Sequence, residues 1–330
     1  MDTKSSTSSS TRDVQGQPVA KKSRLVCKTI IYDELIANQW LDEPPLEIWD
    51  HHIIPLLGLR DLALSRPVCT FFEAYWQDKF SNNVLPLRVG NDVATINDVM
   101  GVIEILSSRR EYTKINPLVV LLGKGEHQIT SSWTHPDGYE IATTLGITRS
   151  NITFVGTGKD TTTILGGFGF RDVENITFKN MTVTNTSNYG NGIHMSNAKV
   201  ELIDVALKGS AGCALVIQEP TNETTIVATR CDFANSGSGS GAIVEGSLTS
   251  ATFKNCVFND NKVDGILVSD NATIHLHGDA TAIHSNGDCG IATVVSGKVL
   301  IHLPSHHNTI YNNTRDRFTT SGGTITNVED

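Results

Sequence analysis

Asn175-Ile-Thr-Phe-Lys-Asn-Met-Thr-Val183 and Ser250-Ala-Thr-Phe-Lys-Asn-Cys-Val-Phe258 are two copies of one pattern. Lys199-Val-Glu-Leu-Ile-Asp-Val-Ala-Leu207 and Thr225-Ile-Val-Ala-Thr-Arg-Cys-Asp-Phe233 repeat it between them. Aligned, the four segments give four apolar columns: Ile176/Val200/Ile226/Ala251, Phe178/Leu202/Ala228/Phe253, Met181/Val205/Cys231/Cys256 and Val183/Leu207/Phe233/Phe258. Every column advances by the same 24, 26 and 25 residues. Within a copy, the first two and the last two columns are two residues apart, the period of a strand with one buried face. The step of three between the pairs breaks that alternation. It predicts a short bend at Asn180, Asp204 and Asn255, residue types that tolerate left-handed backbone angles.

A third strand follows in each copy, announced by glycine: Gly192-Ile-His-Met, Gly212-Cys-Ala-Leu, Gly241-Ala-Ile-Val, Gly265-Ile-Leu-Val and Gly290-Ile-Ala-Thr. Three short strands in a period of about 25 residues predict a solenoid of three parallel sheets. Each coil buries its inner face by stacking on its neighbours. The pattern extends to Asn151-Ile-Thr-Phe, 24 residues before Asn175. Towards the C-terminus, Ala272, Ile274, Leu276 and Ile283 recur 27 residues later as Val299, Ile301, Leu303 and Ile310. Leu118-Val-Val-Leu-Leu is expected to begin the stack. Ile96, Val99, Ile103 and Leu106 form a helical stripe over residues 92–110, a natural cap for its exposed end.

Composition agrees with narrow, turn-rich coils. Of 330 residues 28 are glycine, while aromatics make up 6% and charged residues 18%. No apolar run approaches the roughly 18 to 20 residues that span a bilayer. The start, Met1-Asp-Thr-Lys-Ser-Ser, has no apolar leader pattern, so an intracellular, reduced setting in the cytoplasm or nucleus is expected, with free cysteines. The net charge of −9 disfavours a general nucleic-acid binder. Residues 1–24 are polar and read as a disordered tail. Lys21, Lys22 and Arg24 within it fit either a nuclear import signal or a solvated tail.

Residues 88–325 resemble the right-handed parallel β-helix of the pectin-lyase-like superfamily. The resemblance rests on the repeat, on Val93-Ala-Thr-Ile and Leu121-Leu-Gly-Lys-Gly-Glu-His at its start, and on Asn151-Ile-Thr-Phe-Val-Gly-Thr-Gly and Thr163-Ile-Leu-Gly-Gly. The expected class is therefore mainly β: a right-handed parallel β-helix with an N-terminal cap helix, preceded by a small α-helical segment. Relatives of this fold cleave or modify polysaccharides. Inverting hydrolysis needs two carboxylates about 6.5 to 9.5 Å apart. The resemblance implies Asn-x-Asp, Asp-Asp, Gly-His-Gly and Arg-x-Lys strings for the pectinase type; only the first occurs, once, at Asn286-Gly287-Asp288, without the other three. No catalytic residue and no cofactor is assigned.

His275, His277, His302, His306 and His307 are the one histidine concentration. With a 27-residue period, His275 and His302 occupy matching places on adjacent coils and point outward, which fits a surface ladder without a metal. The sequons at Asn151, Asn175, Asn180, Asn185, Asn222, Asn271 and Asn312 have a structural reading, asparagine for turns and threonine for strands. Cys231 and Cys256 read as small core residues.

Residues 44–80 differ in character, with dense Leu, Ile, Trp and Phe at helical spacing. Pro45, Glu47, Ile48 and Trp49, then Leu56, Leu57, Leu59, Arg60, Asp61 and Leu62, then Val68, Cys69 and Phe72 resemble an F-box, the helical motif that docks the Skp-family adaptor of cullin-RING ubiquitin ligases. Pro44 stands where the family has leucine, one extra residue separates Trp49 from Asp61, Ser65 fills a usually apolar place and Pro67 interrupts the third helix. The resemblance implies adaptor docking through Pro45, Ile48, Trp49, Leu57, Leu62, Val68, Cys69 and Phe72. The β-helix would then recognise a protein client for ubiquitination. The alternative expectation is a β-helix protein that binds or degrades polysaccharide.

Overall fold

The computed structural model describes residues 86–329 apart from 136, 137, 139, 219 and 303–309. The polar tail and the F-box-like segment, with all eight residues expected to dock an adaptor, lie outside the described residues. So do Cys27, Cys69, Leu303, His306 and His307.

The chain winds into a parallel β-solenoid with three sheets. Sheet I begins at Leu87–Arg88 and Leu118–Leu121 and ends at Thr324–Val328. The first, second and fourth columns predicted from the repeat are pairing registers throughout, and the third is one at Met181 and Val205: Val200 lies between Ile176 and Ile226, and Ile226 opposes Ala251. Sheet II carries the strands after the bend, with Leu207 opposite Val183 and Phe233, and Phe233 opposite Phe258. Sheet III carries the glycine-announced strands, with Leu215 between Ile193 and Ala242 and with Ile266 opposite Ile291.

The core is one continuous column of the inward side chains. Phe154 stacks on Phe178 with ring centroids 5.1 Å apart, and Phe233 on Phe258 at 4.7 Å. Burying each such side chain stabilises the fold by about 1.5 to 3 kcal/mol. Cys231 and Cys256 are buried in this column as free thiols, as are Cys213 and Cys289 elsewhere.

The predicted bends are present. Asn180, Asp204 and Asn255 have φ of 57°, 53° and 54°. Arg230 takes the same place at φ 55°, without the side-chain chemistry that favours it. Its guanidinium is anchored on Asp204 of the previous coil, Nε to Oδ1 at 2.8 Å and Nη2 to Oδ2 at 2.6 Å.

Between sheets II and III runs a buried asparagine ladder. Asn261 Nδ2 donates to Asn286 Oδ1 at 2.9 Å, and Asn286 Nδ2 donates to Asn313 Oδ1 at 2.8 Å. These amides satisfy carbonyls that the corner leaves unpaired, such as Phe233 O and Phe258 O. Glycine follows because the coils approach closely. A Cβ at Gly241 would stand 2.6 Å from Gly265 O, and one at Gly265 would stand 2.7 Å from Gly290 O.

The cap helix, α1 (Val99–Ser107), follows a 3-10 turn at Ile96–Asp98 and buries Val99, Val102, Ile103 and Leu106. It is shorter than the predicted 92–110. Thr95 opens the turn, its N–H and hydroxyl both bonded to Asp98 Oδ2 at 3.0 and 2.9 Å. A second correction is the start of the stack: Leu87 pairs with Val120, so a short strand precedes Leu118. A third concerns Gly212. Register places Ala214, not Gly212, opposite the glycine column, because Leu215 is the partner of Ile193.

The last correction bears on the histidines. In sheet I, Ile274 opposes Val299 and Leu276 opposes Ile301, a step of 25, while in sheet II Ile283 opposes Ile310, a step of 27. The two extra residues fall between those strands, after Ile301. A two-residue slip keeps every side chain on the same face, so an apolar pattern does not distinguish the two registers.

Candidate functional site

The outer face of sheet I presents three columns of side chains along the stack. One runs Thr153, Thr177, Glu201, Val227, Thr252, His275, Leu300 and Thr326. On one side of it lie Lys179, Ile203, Thr229, Lys254, His277 and His302, and on the other Lys199, Thr225, Ser250, Thr273, Lys298 and Thr324. Strand alternation forces this arrangement, because the residues between them are the inward apolar columns. These columns carry four lysines and one glutamate among hydroxyl side chains, with the apolar Ile203, Val227 and Leu300 between them, in a chain of net charge −9. Lys199 is shared between Glu174 and Glu223 at 3.3 and 3.2 Å, and both carboxylates raise its pKa.

Three imidazoles meet at the C-terminal end of this face. Register places His277, not His275, beside His302, and the two rings stack with centroids 4.0 Å apart and planes at 15°. His275 lies two residues before His277 and brings Nδ1 to 3.0 Å from His302 Nε2. One nitrogen from each ring falls within 4.8 Å of the others. Burial and the neighbouring His302 lower the pKa of His275. The outward orientation matches the sequence expectation; the convergence of three rings does not follow from a 27-residue ladder.

Glu201 is the one carboxylate within the three columns among the described residues, and Glu174 and Glu223 reach the same face through Lys199. The acidic pair that does come together is at the corner before sheet III. Asp264, Asp288 and Cys289 offer ligand atoms within 4.8 Å of one another. Their contacts are architectural. Asp264 Oδ1 accepts from Cys289 N at 3.0 Å, as Asn191 Oδ1 does from Cys213 N at 2.9 Å and Ser240 Oγ from Asp264 N at 3.3 Å. Arg315 holds Asp288 through both carboxylate oxygens. Burial pushes the Asp264 pKa up, and raises that of Cys289 to about 12.

A short antiparallel hairpin, Trp133–Thr134 with Glu140–Ile141, covers the outer face of sheet III. Trp133 occupies a seat made by two glycines: a Cβ on Gly169 would stand 2.2 Å from its ring, and one on Gly146 2.6 Å. His194, in register with Gly169, is buried beside Trp133 and His135, with ring centroids 5.7 and 5.1 Å away. Neither of its ring nitrogens has a hydrogen-bond partner, and burial lowers its pKa to about 4.

Three of the sequon asparagines hold the coils together. Asn151 Nδ2 donates to Tyr112 O, Asn175 Nδ2 to Asn151 Oδ1, and the fully buried Asn185 accepts from Ser187 N.

The family model described as right handed beta helix region matches residues 140–314. No curated protein matches the chain in sequence. Among solved structures, ORF18 of Geobacillus virus E2 is similar at 13% identity and TM-score 0.40; the match covers 78% of this chain and 63% of the viral one. Pectate lyase Pel9A is similar at 10% identity and TM-score 0.46, covering 76% of this chain and 80% of the lyase. The A-module of Azotobacter vinelandii mannuronan C-5 epimerase AlgE4 is similar at 14% identity and TM-score 0.31, covering 64% and 89%. These likenesses concern the fold.

Proposed function

We propose, from the premise that this chain belongs to the right-handed β-helix family, that it binds an acidic polysaccharide along the outer face of sheet I without cleaving it. The observation that carries this reading is the hydroxyl-bearing outer face of sheet I, which holds Lys179, Lys199, Lys254 and Lys298 on four of its coils in an otherwise acidic chain. A polymer of repeated hydroxyl and carboxylate groups meets a surface that repeats hydroxyls and cations at the strand spacing of about 4.8 Å. Lysine ammonium groups bind carboxylates with charge-assisted hydrogen bonds. Within the three columns Glu201 stands alone, and the nearby Glu174 and Glu223 are engaged by Lys199, whereas acid–base cleavage uses a facing pair.

The test is affinity electrophoresis of the full chain through gels containing polygalacturonate, alginate or a neutral glucan. Retardation by the acidic polymers, abolished in Lys179→Glu/Lys254→Glu, supports the reading. Equal mobility in all gels, or release of unsaturated or reducing ends from the polymer, overturns it.

A second reading rests on the F-box-like residues 44–80, through which the chain would dock an Skp-family adaptor and present a protein client. Co-purification with such an adaptor, lost in Leu62→Asp/Val68→Asp, is its expected result. Retention of the adaptor by that double variant removes it.

A further inference from the structure

The geometry points to a zinc-class metal site, a divalent transition ion held by His275, His277 and His302 on the outside of the solenoid. Three features carry it. The three rings come from two adjacent strands whose backbones are fixed by parallel pairing, with Leu276 opposite Ile301. One nitrogen from each lies within 4.8 Å of the others. Two of those nitrogens, His275 Nδ1 and His302 Nε2, are already 3.0 Å apart. In a tetrahedral zinc site with Zn–N of about 2.0 to 2.1 Å, ligand nitrogens are roughly 3.3 Å apart. His277, stacked on His302 with ring centroids 4.0 Å apart, would complete the set by turning about its side-chain torsions.

The chemistry selects the class of ion. Three neutral imidazoles without a carboxylate suit zinc, copper or nickel, and not calcium or magnesium, which take oxygen ligands. The flanking side chains Ile274, Leu276 and Ile301 are fully buried, so both strands hold the imidazoles outward on a rigid base. The rings are partly exposed, which leaves a coordination position facing solvent. That position would hold water or a carboxylate oxygen of a ligand. The inference stands on these three residues and does not depend on polysaccharide binding.

The test is a calorimetric titration of the full metal-free chain with Zn2+, alongside Co2+ substitution read by visible absorption. One equivalent of zinc and a tetrahedral cobalt band are expected. His275→Ala, His277→Ala and His302→Ala should each weaken binding at least about 10-fold and remove the band. These substitutions lie on an outer face, and unchanged far-UV circular dichroism checks that the fold persists. Asp288→Asn, at the other cluster of candidate ligand atoms, should leave both signals unchanged. Absence of zinc binding overturns the inference. So does binding that survives all three histidine variants, or that is lost in Asp288→Asn instead.

Discussion

Replacing Asn286 by alanine should destabilise the solenoid more than its size implies. The side chain makes four hydrogen bonds. Its Oδ1 accepts from Asn261 N at 3.3 Å and Asn261 Nδ2 at 2.9 Å; its Nδ2 donates to Phe258 O at 3.1 Å and Asn313 Oδ1 at 2.8 Å. The residue is 3% exposed, so water does not replace these bonds. Asn261 Nδ2 keeps its bond to Phe233 O, which leaves the Phe258 carbonyl and the Asn261 N–H as the groups losing most. Each buried group left unsatisfied costs about 1 to 3 kcal/mol, so a loss of ~3 kcal/mol is expected. For a unit of this size that corresponds to a fall in Tm of roughly 6 to 12 °C. Thermal and urea unfolding followed by far-UV circular dichroism would read it, with the surface substitution Asn259→Ala as control. A loss below about 1 kcal/mol, or one equal to the control, would refute the role of the ladder.

Three further outcomes follow from the same geometry. Gly169→Val should unseat Trp133, seen as a red-shifted Trp133 emission and faster proteolysis within 133–141, because the added Cβ would meet the ring at 2.2 Å. His194 has a folded-state pKa lowered to about 4 by burial. Its contribution is complete above the ordinary imidazole range and lost as pH falls towards 4; acid titration of stability should show a loss of roughly 3 kcal/mol that His194→Phe abolishes. Asp264 has the opposite sign, since burial raises its pKa. Its relative stabilisation is present in acid and lost as pH rises, so Asp264→Asn should increase stability at pH 7 and not at low pH, measured by urea unfolding at both.

Much of the architecture was legible in the residues. The columns of Ile176, Phe178, Met181 and Val183 specify two strands and a bend because side-chain period and backbone reach leave few other solutions. What escaped has physical reasons. The register at His302 was hidden by the two-residue slip. The hairpin at Trp133 carries no repeat signal and is defined by glycines 146 and 169, which look like ordinary turn residues. The asparagine ladder shares its spacing with the strands, yet Asn261 and Asn286 resemble any turn asparagine until burial is known. Arg230 shows that a bend position can be filled by a residue held from outside, by Asp204, instead of by its own conformational preference. The histidine cluster required both the correct register and the stacked rings.

The central claim, that a repetitive face reads a repetitive ligand, is tested most directly by titrating the full chain with acidic oligosaccharides of increasing length. The account predicts affinity that rises with each added sugar until the ligand spans the stacked strands of sheet I, and that falls with added salt. Affinity independent of length, or no binding at any length, would contradict it.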